Sequence, residues 1–383
     1  MKTQSLKTLA LSLLLATSVA GCSWFGGSEK PAAPPAPLVD FKASMNPAVQ
    51  WRADVGSAGD YMFSPAVTAD SVYAAGQKGT LARFDLASGK QLWRIDTGSP
   101  LSAGVGVGDD VVSVVTTTGM VLAYDASGKK MWQAQSPGEV LAAPIVSGGK
   151  VIVRTDDGRI VAFSSSDGKQ DWFYQRNNPS LTLRSNAGAV VAQGAVFAGF
   201  PGGKLVGINL GNGAVGWEAT VSTPRGATEL ERVTDVTSNP VLIGAMICAA
   251  SYQGRVACFD ARNGTPVWAK DISSTAGLDL DSRQVYVSDD KGDVVAFERT
   301  SGAGMWKQDK LVRRNLSTPA VVANWVAVGD YQGYVHFLSQ TDGAFAGRIA
   351  TDGSAIGNAA MVSLAHGLIV QTHSGGVFAI KAE

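Results

Sequence analysis

The sequence predicts an all-β fold in which one small unit is repeated, and two observations carry this prediction. The first is a tryptophan that recurs at intervals of 42, 39, 40, 45, 51 and 38 residues, at Trp51, Trp93, Trp132, Trp172, Trp217, Trp268 and Trp306. The second is a glycine that begins a short apolar segment in each unit, at Gly79, Gly119, Gly158, Gly203, Gly254, Gly292, Gly333 and Gly375. A period near forty residues is typical of repeat architectures, and it overrides the two or three domains that 383 residues would otherwise suggest.

Each unit is predicted to contain four strands. The alternating β-branched and aromatic residues that follow each glycine, as in residues 79–84, indicate a strand. The glycine lies where a hairpin turns, because glycine accepts a positive φ. A second turn from Asp85 to Gly89 leads into the strand that contains Trp93, since aspartate bonds backbone amides and glycine takes the left-handed position. Four antiparallel strands per unit, repeated radially, predict a β-propeller.

The number of units predicts eight blades, with seven as the alternative. The last unit, at Gly375, has no outer strand and no tryptophan, whereas the segment with Trp51 has no strand before it. We therefore expect this N-terminal strand to pair in the last blade, which closes the ring and leaves no open edge. The seventh unit departs from the pattern, because Gly347 stands where a tryptophan is expected.

The regular tryptophans are expected to pack between neighbouring blades, where each would bury about 150–250 Å². The alternative is a surface on which a ligand stacks. A single large ring at the same place in each unit favours packing.

The N-terminal residues indicate export. Residues 1–21 are predicted to be a signal peptide, with Lys2 and Lys7 before an apolar run that is too short to span a membrane. Val-Ala-Gly-Cys at 19–22 resembles the bacterial lipobox, which implies cleavage before Cys22 and a lipid on that cysteine. The alternative is a chance cysteine behind an ordinary signal peptide. By the same resemblance, Ser23 implies sorting to the outer membrane.

Residues 22–48 are rich in Pro, Ala and Gly, and they are predicted to form the lipidated end and a tether. The single propeller domain is then expected over residues 49–383. Without Lys2 and Lys7 the chain has 30 basic and 32 acidic residues. This balance argues against nucleic acid as a partner, since nucleic-acid binding needs a basic face.

The sequence contains none of the motifs that would predict catalysis. His336, His366 and His373 do not have a metal-binding spacing, and there is no nucleophile elbow or P-loop. The phrase Asp-x-x-[Ser/Thr]-Gly-x-x-x-Trp resembles the repeat of quinoprotein dehydrogenases, which implies the same scaffold. Those enzymes carry an adjacent cysteine pair and a calcium site, and no two cysteines are adjacent here. We therefore expect a protein that is not an enzyme and holds no cofactor or metal, with a quinoprotein-like dehydrogenase as the alternative.

Two further cysteines flank one predicted turn. Cys248 and Cys258 would lie opposite each other in a hairpin centred on Gln253. In an oxidising compartment they could form a disulfide. The alternative is two small core residues that face each other.

Two long loops are the candidate binding surface. The stretch between tryptophan and the next glycine is 26 residues after Trp93 but 31 after Trp172 and 37 after Trp217. Insertions in repeat proteins gather on one face, which is often the binding face. The two loops supply apolar and charged residues of the kind found in protein interfaces: Leu181, Leu183, Arg184, Arg225, Glu229, Leu230, Glu231, Arg232 and Asp235. The alternative is that the leucines cap the core.

The lipobox, the tether, the repeats and these loops together resemble the lipoprotein-subunit family of the outer-membrane β-barrel assembly machinery. The most specific segments are Pro-Ser-Leu-Thr-Leu-Arg at 179–184 and Ala-Thr-Glu-Leu-Glu-Arg-Val-Thr-Asp at 227–235. The resemblance implies that Leu181, Leu183, Arg184 and Asp235 contact periplasmic POTRA domains of the central barrel subunit. Thr237 departs from the family pattern, in which a second acidic residue stands at that position.

The resemblance also implies a role and a place. The protein would be a scaffold that aids folding and insertion of outer-membrane proteins, with unfolded clients as further partners. Its lipid would sit in the inner leaflet of the outer membrane, with the propeller facing the periplasm. A propeller lipoprotein that binds a glycan or another protein is the remaining alternative.

Overall fold

The computed structural model describes residues 33–358 and 360–383. Contacts between residues divide the chain into Met1–Pro34 and Pro35–Glu383, and the description below concerns the second unit. The predicted signal peptide, the predicted lipidation site Cys22 and the first part of the predicted tether lie outside the described residues.

Thirty-two strands are found in the described part of the chain, and they form eight four-stranded antiparallel sheets. Strand β1 (Ala48–Asp54) stands apart from the sequential blades. Blades 1 to 4 are, in order, β2–β5 (Ala66–Val67, Ser71–Ala75, Thr80–Asp85, Gln91–Asp96), β6–β9 (Gly106–Gly108, Val111–Val115, Met120–Asp125, Lys130–Gln135), β10–β13 (Ile145–Ser147, Lys150–Arg154, Arg159–Ser164, Gln170–Gln175) and β14–β17 (Ala189–Ala192, Ala195–Phe200, Lys204–Asn209, Val215–Thr220).

Blades 5 to 7 continue the same order, and blade 8 begins with three strands. They are β18–β21 (Val241–Ile243, Met246–Ala250, Arg255–Asp260, Pro266–Asp271), β22–β25 (Gly277–Leu280, Gln284–Ser288, Val294–Glu298, Gly304–Gln308), β26–β29 (Ala320–Val322, Trp325–Gly329, Tyr334–Ser339, Phe345–Ala350) and β30–β32 (Met361–Leu364, Gly367–Gln371, Gly376–Lys381).

The blades form a ring. The first strand of each blade lies beside the first strand of the next, from β2 and β6 through to β26 and β30, so these strands surround the centre. Among the described residues there are eight buried apolar clusters, and each one joins two neighbouring blades. The predicted all-β, eight-bladed propeller is confirmed, and the seven-bladed alternative is wrong.

The N-terminal strand closes the ring. Strand β1 pairs antiparallel with β32, so the order in blade 8 is β1-β32-β31-β30, with Trp51 opposite Ala379. A buried cluster then joins this blade to blade 1, with Val72 and Phe84 of blade 1 against Ile369 and Val377 of blade 8. The predicted closure is therefore confirmed.

Each of the seven regular indoles is hydrogen-bonded to the turn between the third and fourth strands of the next blade, which we call the outer turn. The indole Nε1 donates a hydrogen bond to a backbone oxygen of that turn, from Trp51 to Leu86 (2.9 Å), Trp93 to Ala126 (3.0 Å), Trp132 to Ser165 (2.7 Å), Trp172 to Leu210 (2.9 Å), Trp217 to Ala261 (2.8 Å), Trp268 to Arg299 (2.6 Å) and Trp306 to Gln340 (2.8 Å).

Two features of each outer turn require glycine, the positive φ and the close approach of the indole ring. Gly89 has a φ of 70°, which favours glycine, and a Cβ added there would lie 2.5 Å from Cδ2 of Trp51. The same relation between ring and glycine recurs at the next six junctions. These indoles are packing residues between blades, as the sequence predicts, and not a stacking surface.

The absence of a tryptophan at residue 347 has a topological cause. In blade 8 the outer strand is β1, so no turn connects β32 to it, and an indole from blade 7 would have no such turn to bind. The space is filled by the residues before β1. A Cβ added at Gly347 would lie 2.7 Å from Cγ of Met45 and 3.0 Å from Cδ of Pro47.

Candidate protein-binding site

The two long loops lie next to each other and are joined by one carboxylate. They are residues 176–188, between β13 and β14, and residues 221–240, between β17 and β18. The backbone N–H of Leu183 donates to Oδ2 of Asp235 at 2.7 Å. The N–H of Gly202, on the hairpin of the blade between them, donates to Oδ1 at 3.0 Å. The structure thus brings the two predicted loops together.

Asp235 is buried, whereas the resemblance implies that it contacts the POTRA domains. Only 2% of the residue is exposed, and both carboxylate oxygens accept backbone hydrogen bonds within the protein. Its carboxylate therefore holds the first loop in place from beneath, and it does not face outward. Thr237, the departure from the family pattern, is also buried, with its hydroxyl 3.5 Å from the carbonyl oxygen of Ser274.

The other predicted residues of the first loop form its outer surface. Leu181 is 40% exposed, whereas Leu183 is partly buried. The Arg184 side chain is 54% exposed, and its Nη2 donates to Oε1 of Glu139 at 2.8 Å. Its guanidinium carbon lies 5.7 Å from the centre of the Tyr61 ring, a cation–π contact. The arginine is thus oriented before any partner arrives.

The second loop presents an apolar tip. Leu230 is 70% exposed, more than any other large hydrophobic residue in the described part of the chain. Glu231 stabilises that turn, because its Oε2 accepts from the N–H of Ala227 at 2.7 Å and of Thr228 at 3.1 Å. These bonds to Thr228 and Ala227 lower the pKa of the Glu231 carboxyl. Arg232 donates from Nε to the carbonyl oxygen of Gly226 at 3.1 Å, so the tip is held from both sides.

Sequence reasoning missed the residues that support these loops. Arg154, on β11, donates from Nη1 to the carbonyl oxygen of Ala187, and its guanidinium lies 5.4 Å from the Phe200 ring. Burial lowers the pKa of Arg154 to about 10, and the charge of Asp235 opposes that shift, so the guanidinium stays protonated at neutral pH. Arg154 lies on blade 3, Glu139 in the connection between blades 2 and 3, and Tyr61 between β1 and β2. No local pattern in the sequence connects them to the loops.

A cavity of about 740 Å³ opens beside the first loop, where the loops between blades converge. Its lining includes Leu183, Arg184, Asn239, Asp279 and Asn358. Burial raises the pKa of Asp279 to about 6, although its carboxylate accepts from the N–H groups of Val321 at 2.7 Å and Leu280 at 2.8 Å. Within residues 33–358 and 360–383, no group of three or more His, Cys, Asp or Glu side chains could hold a metal ion.

The two remaining cysteines are bonded to each other. Cys248 on β19 and Cys258 on β20 are directly opposite in the sheet, and the structure joins their Sγ atoms in a disulfide. Both are fully buried in blade 5, so the bond lies in the core of the blade that follows the second long loop.

The fold and this surface define a class: an eight-bladed β-propeller whose candidate site is built from loops between blades. A family model described as outer membrane protein assembly factor BamB matches residues 77–308. The relative from Bordetella pertussis, with the same description, is 43% identical across 98% of this chain and 96% of that protein. The one from Pseudomonas aeruginosa is 42% identical across 91% and 92%. The chain belongs to the BamB family.

Solved structures agree on the fold. The structure of BamB from Moraxella catarrhalis has a TM-score of 0.81 at 28% identity, over 88% of this chain and 100% of that one. A quinohemoprotein alcohol dehydrogenase from Pseudomonas putida has a TM-score of 0.71 at 13% identity, over 88% and 76%, a likeness that shows the fold alone. In the described part of the chain, none of the elements is an apolar helix of membrane-spanning length.

Proposed function

We propose that this protein is a non-enzymatic scaffold in the assembly of outer-membrane β-barrel proteins. Its relatives at 41–43% identity are named as assembly factors, which supports this role. The proposed place is the periplasmic side of the outer membrane, with the chain anchored by a lipid on Cys22. Unfolded clients would be further partners of the same scaffold.

The proposed partner is the POTRA region of the central barrel subunit, and the surface formed by the two long loops would bind it. One observation carries this proposal: two exposed leucines and an oriented arginine, Leu181, Leu230 and Arg184, stand on loops that a buried carboxylate locks together. Exposed apolar residues beside arginine are the usual centre of a protein interface. Asp235 would act as a positioning residue, since its carboxylate is occupied beneath the surface.

The test is capture of the purified POTRA segment by the full-length protein. Arg184→Glu should reduce the captured amount at least tenfold, because it reverses the charge at the centre of the surface and repels Glu139. Arg52→Glu is the matched control, since Arg52 is exposed on β1, on the outer strand of blade 8. Capture by Arg184→Glu at the wild-type level would refute the proposed surface.

A second variant separates direct contact from positioning. Asp235→Ala should weaken capture and also speed hydrogen exchange in residues 181–186, because the N–H of Leu183 loses its acceptor. Weaker capture without faster exchange would mean that Asp235 contacts the partner itself.

A further inference from the structure

Residues 36–47 lie along blade 7, although the sequence assigns them to the tether. The backbone N–H of Ala36 donates to the carbonyl oxygen of Val312 at 3.0 Å. The N–H groups of Ser44 and Met45 both donate to the carbonyl oxygen of Ala346, at 2.9 and 3.1 Å. We call residues 36–47 the strap.

Two arginines of the propeller bind the strap through its backbone. Nη1 of Arg314 donates to the carbonyl oxygen of Ala36 at 2.9 Å. Both terminal nitrogens of Arg348 donate to the carbonyl oxygen of Val39 at 3.2 Å. The Arg314 side chain is only 3% exposed, so its hydrogen bonds are made away from bulk water, where they are strong.

A buried network fixes the direction of these arginines. Oδ2 of Asp330 accepts from Nη2 of Arg314 at 2.6 Å and lies 2.9 Å from Nε2 of His336. On its other side, Nδ1 of His336 accepts from Nε of Arg348 at 3.1 Å. The carboxylate and the imidazole are both fully buried. Charged groups buried so deep in a blade are costly unless they are paired and hydrogen-bonded, and here each member of the network has a partner.

The strap also makes apolar contacts along its length. The Phe41 ring stacks on Phe345 with centroids 5.2 Å apart, and the guanidinium carbon of Arg348 lies 5.0 Å from the centre of the Phe41 ring. Met45 is 6% exposed and belongs to the cluster between blades 7 and 8. With Pro47, it occupies the space beside Gly347.

We infer that blade 7 carries a binding site for an extended peptide, and that its occupant is the strap of this same chain. Arg314 and Arg348 donate to two backbone oxygens of the strap, and Phe41 stacks on Phe345. Met45 fills the space between blades 7 and 8, where an indole packs at each of the other seven junctions. The inference goes beyond the proposed function and does not depend on any partner of the protein.

The experiment is hydrogen exchange of the full chain, followed by mass spectrometry of peptides that cover residues 36–47. Arg348→Ala should speed exchange at Ser44 and Met45 at least tenfold, because the strap loses its contacts to both Val39 and the Phe41 ring. Arg94→Ala is the matched control. Arg94 follows Trp93 as Arg348 follows Gly347, and it also donates to a backbone oxygen, that of Asp54 at 2.8 Å. Equal exchange in both variants would overturn the inference.

Because Arg348→Ala could also disturb His336, a second variant removes a contact from the strap side only. Phe41→Ala leaves the buried network intact and should likewise speed exchange of the strap at least tenfold, with no change in peptides from blades 2 to 5. Wild-type exchange of the strap in Phe41→Ala would show that the segment is not held by this site. Faster exchange across all blades would show that the residue serves the fold in general, which also contradicts the inference.

Discussion

Asp279 illustrates what burial does to a single carboxyl group. It lies on the first strand of blade 6, beside the cavity, and two backbone N–H groups are its hydrogen-bond donors. These bonds favour the charged form, yet burial outweighs them and raises the pKa to about 6 from the ordinary value of 3.8. The native state therefore disfavours the charged form of Asp279 relative to the unfolded chain, although the carboxyl is still mostly ionised at neutral pH.

Asp279→Asn should stabilise the protein at pH 8 by about 1–2 kcal/mol, because it removes a buried charge whose raised pKa costs about 3 kcal/mol. Part of that gain is lost, since the amide offers one acceptor oxygen where the carboxylate offers two, and one of the N–H groups of Val321 and Leu280 loses its partner. A pKa that is raised in the folded state contributes stability below 3.8, and that contribution is lost as the pH rises through about 6. The gain should thus shrink when urea unfolding is repeated at pH 5. Asp60→Asn, at an exposed carboxylate, is the control. A gain that does not vary with pH would contradict this account.

Asp235 shows the limit of sequence reasoning at this scale. Its loop is rich in charged residues, so an outward-facing carboxylate was the natural expectation. Its burial depends on the N–H groups of Leu183 and Gly202, which are 52 and 33 residues away in the chain. A sequence pattern reports on near neighbours and on periodic faces, and it carries no information about which distant amide a carboxylate meets. Leu181 and Arg184 are exposed, as residues of a surface loop are expected to be, while their contact with a partner stays a prediction.

At the scale of the element, the repeated unit is a strand that ends in an indole together with a turn that receives it. The indole N–H binds a carbonyl oxygen of the turn, and the turn glycine leaves room for the ring. The two halves belong to successive blades, so each unit stabilises its neighbour and not itself. This is why the repeat is visible in the sequence: from Gly89 and Trp93 onward the turn glycine stands four residues before the indole of its own unit, whereas the distance from an indole to the turn that receives it varies with the loop between the blades.

Trp93→Ala should lower the free energy of unfolding by about 3 kcal/mol, because it leaves a cavity between blades 1 and 2 and removes one of the two hydrogen bonds to the carbonyl oxygen of Ala126, which keeps its bond from Arg83. Leu92→Ala removes the neighbouring side chain, which is 47% exposed, and should cost less than about 1 kcal/mol. Urea unfolding monitored by circular dichroism gives both values. Equal losses for the two variants would mean that the indole does not join the blades.

The missing eighth tryptophan marks what the repeat could not predict. Gly347 was recognised as a departure, but its cause lies in the topology of blade 8, whose outer strand comes from the other end of the sequence. The filling residues, Met45 and Pro47, lie in a segment whose Pro- and Ala-rich composition indicated only a tether. Composition describes how a free segment behaves, and it does not reveal a specific groove that binds one.

At the scale of the whole molecule, stability depends on one contact between the two ends of the propeller domain. Strand β1 has no sequential neighbour in its sheet, and it is held by β32 and by the packing of Trp51 against blade 1. Other blades are hairpins along the chain and can form locally. Closing the ring instead requires residues more than three hundred positions apart to meet, such as Asp54 and Gly376, which is entropically costly.

Trp51→Ala should therefore open the ring locally. The expected result is at least a tenfold increase in hydrogen exchange across β1, because its indole no longer binds the carbonyl oxygen of Leu86. In Trp93→Ala, exchange of β1 should stay at the wild-type rate, since that junction lies between blades that follow each other in sequence. Peptide-resolved mass spectrometry distinguishes the two. Unchanged exchange of β1 in Trp51→Ala would show that the indole does not hold this strand.

The strap shortens the segment of chain that can separate the propeller from a membrane attachment. If the membrane attachment is at Cys22, the segment that links it to the propeller ends at Ala36, where the strap begins, and not at β1. That segment has about 14 residues and can span at most roughly 50 Å, whereas a linker that ran to Ala48 could span roughly 90 Å. Ala36 is bound beside Val312, in a connection of the same kind as the two long loops. In the described chain, the strap thus begins on the face of the propeller that carries the two long loops.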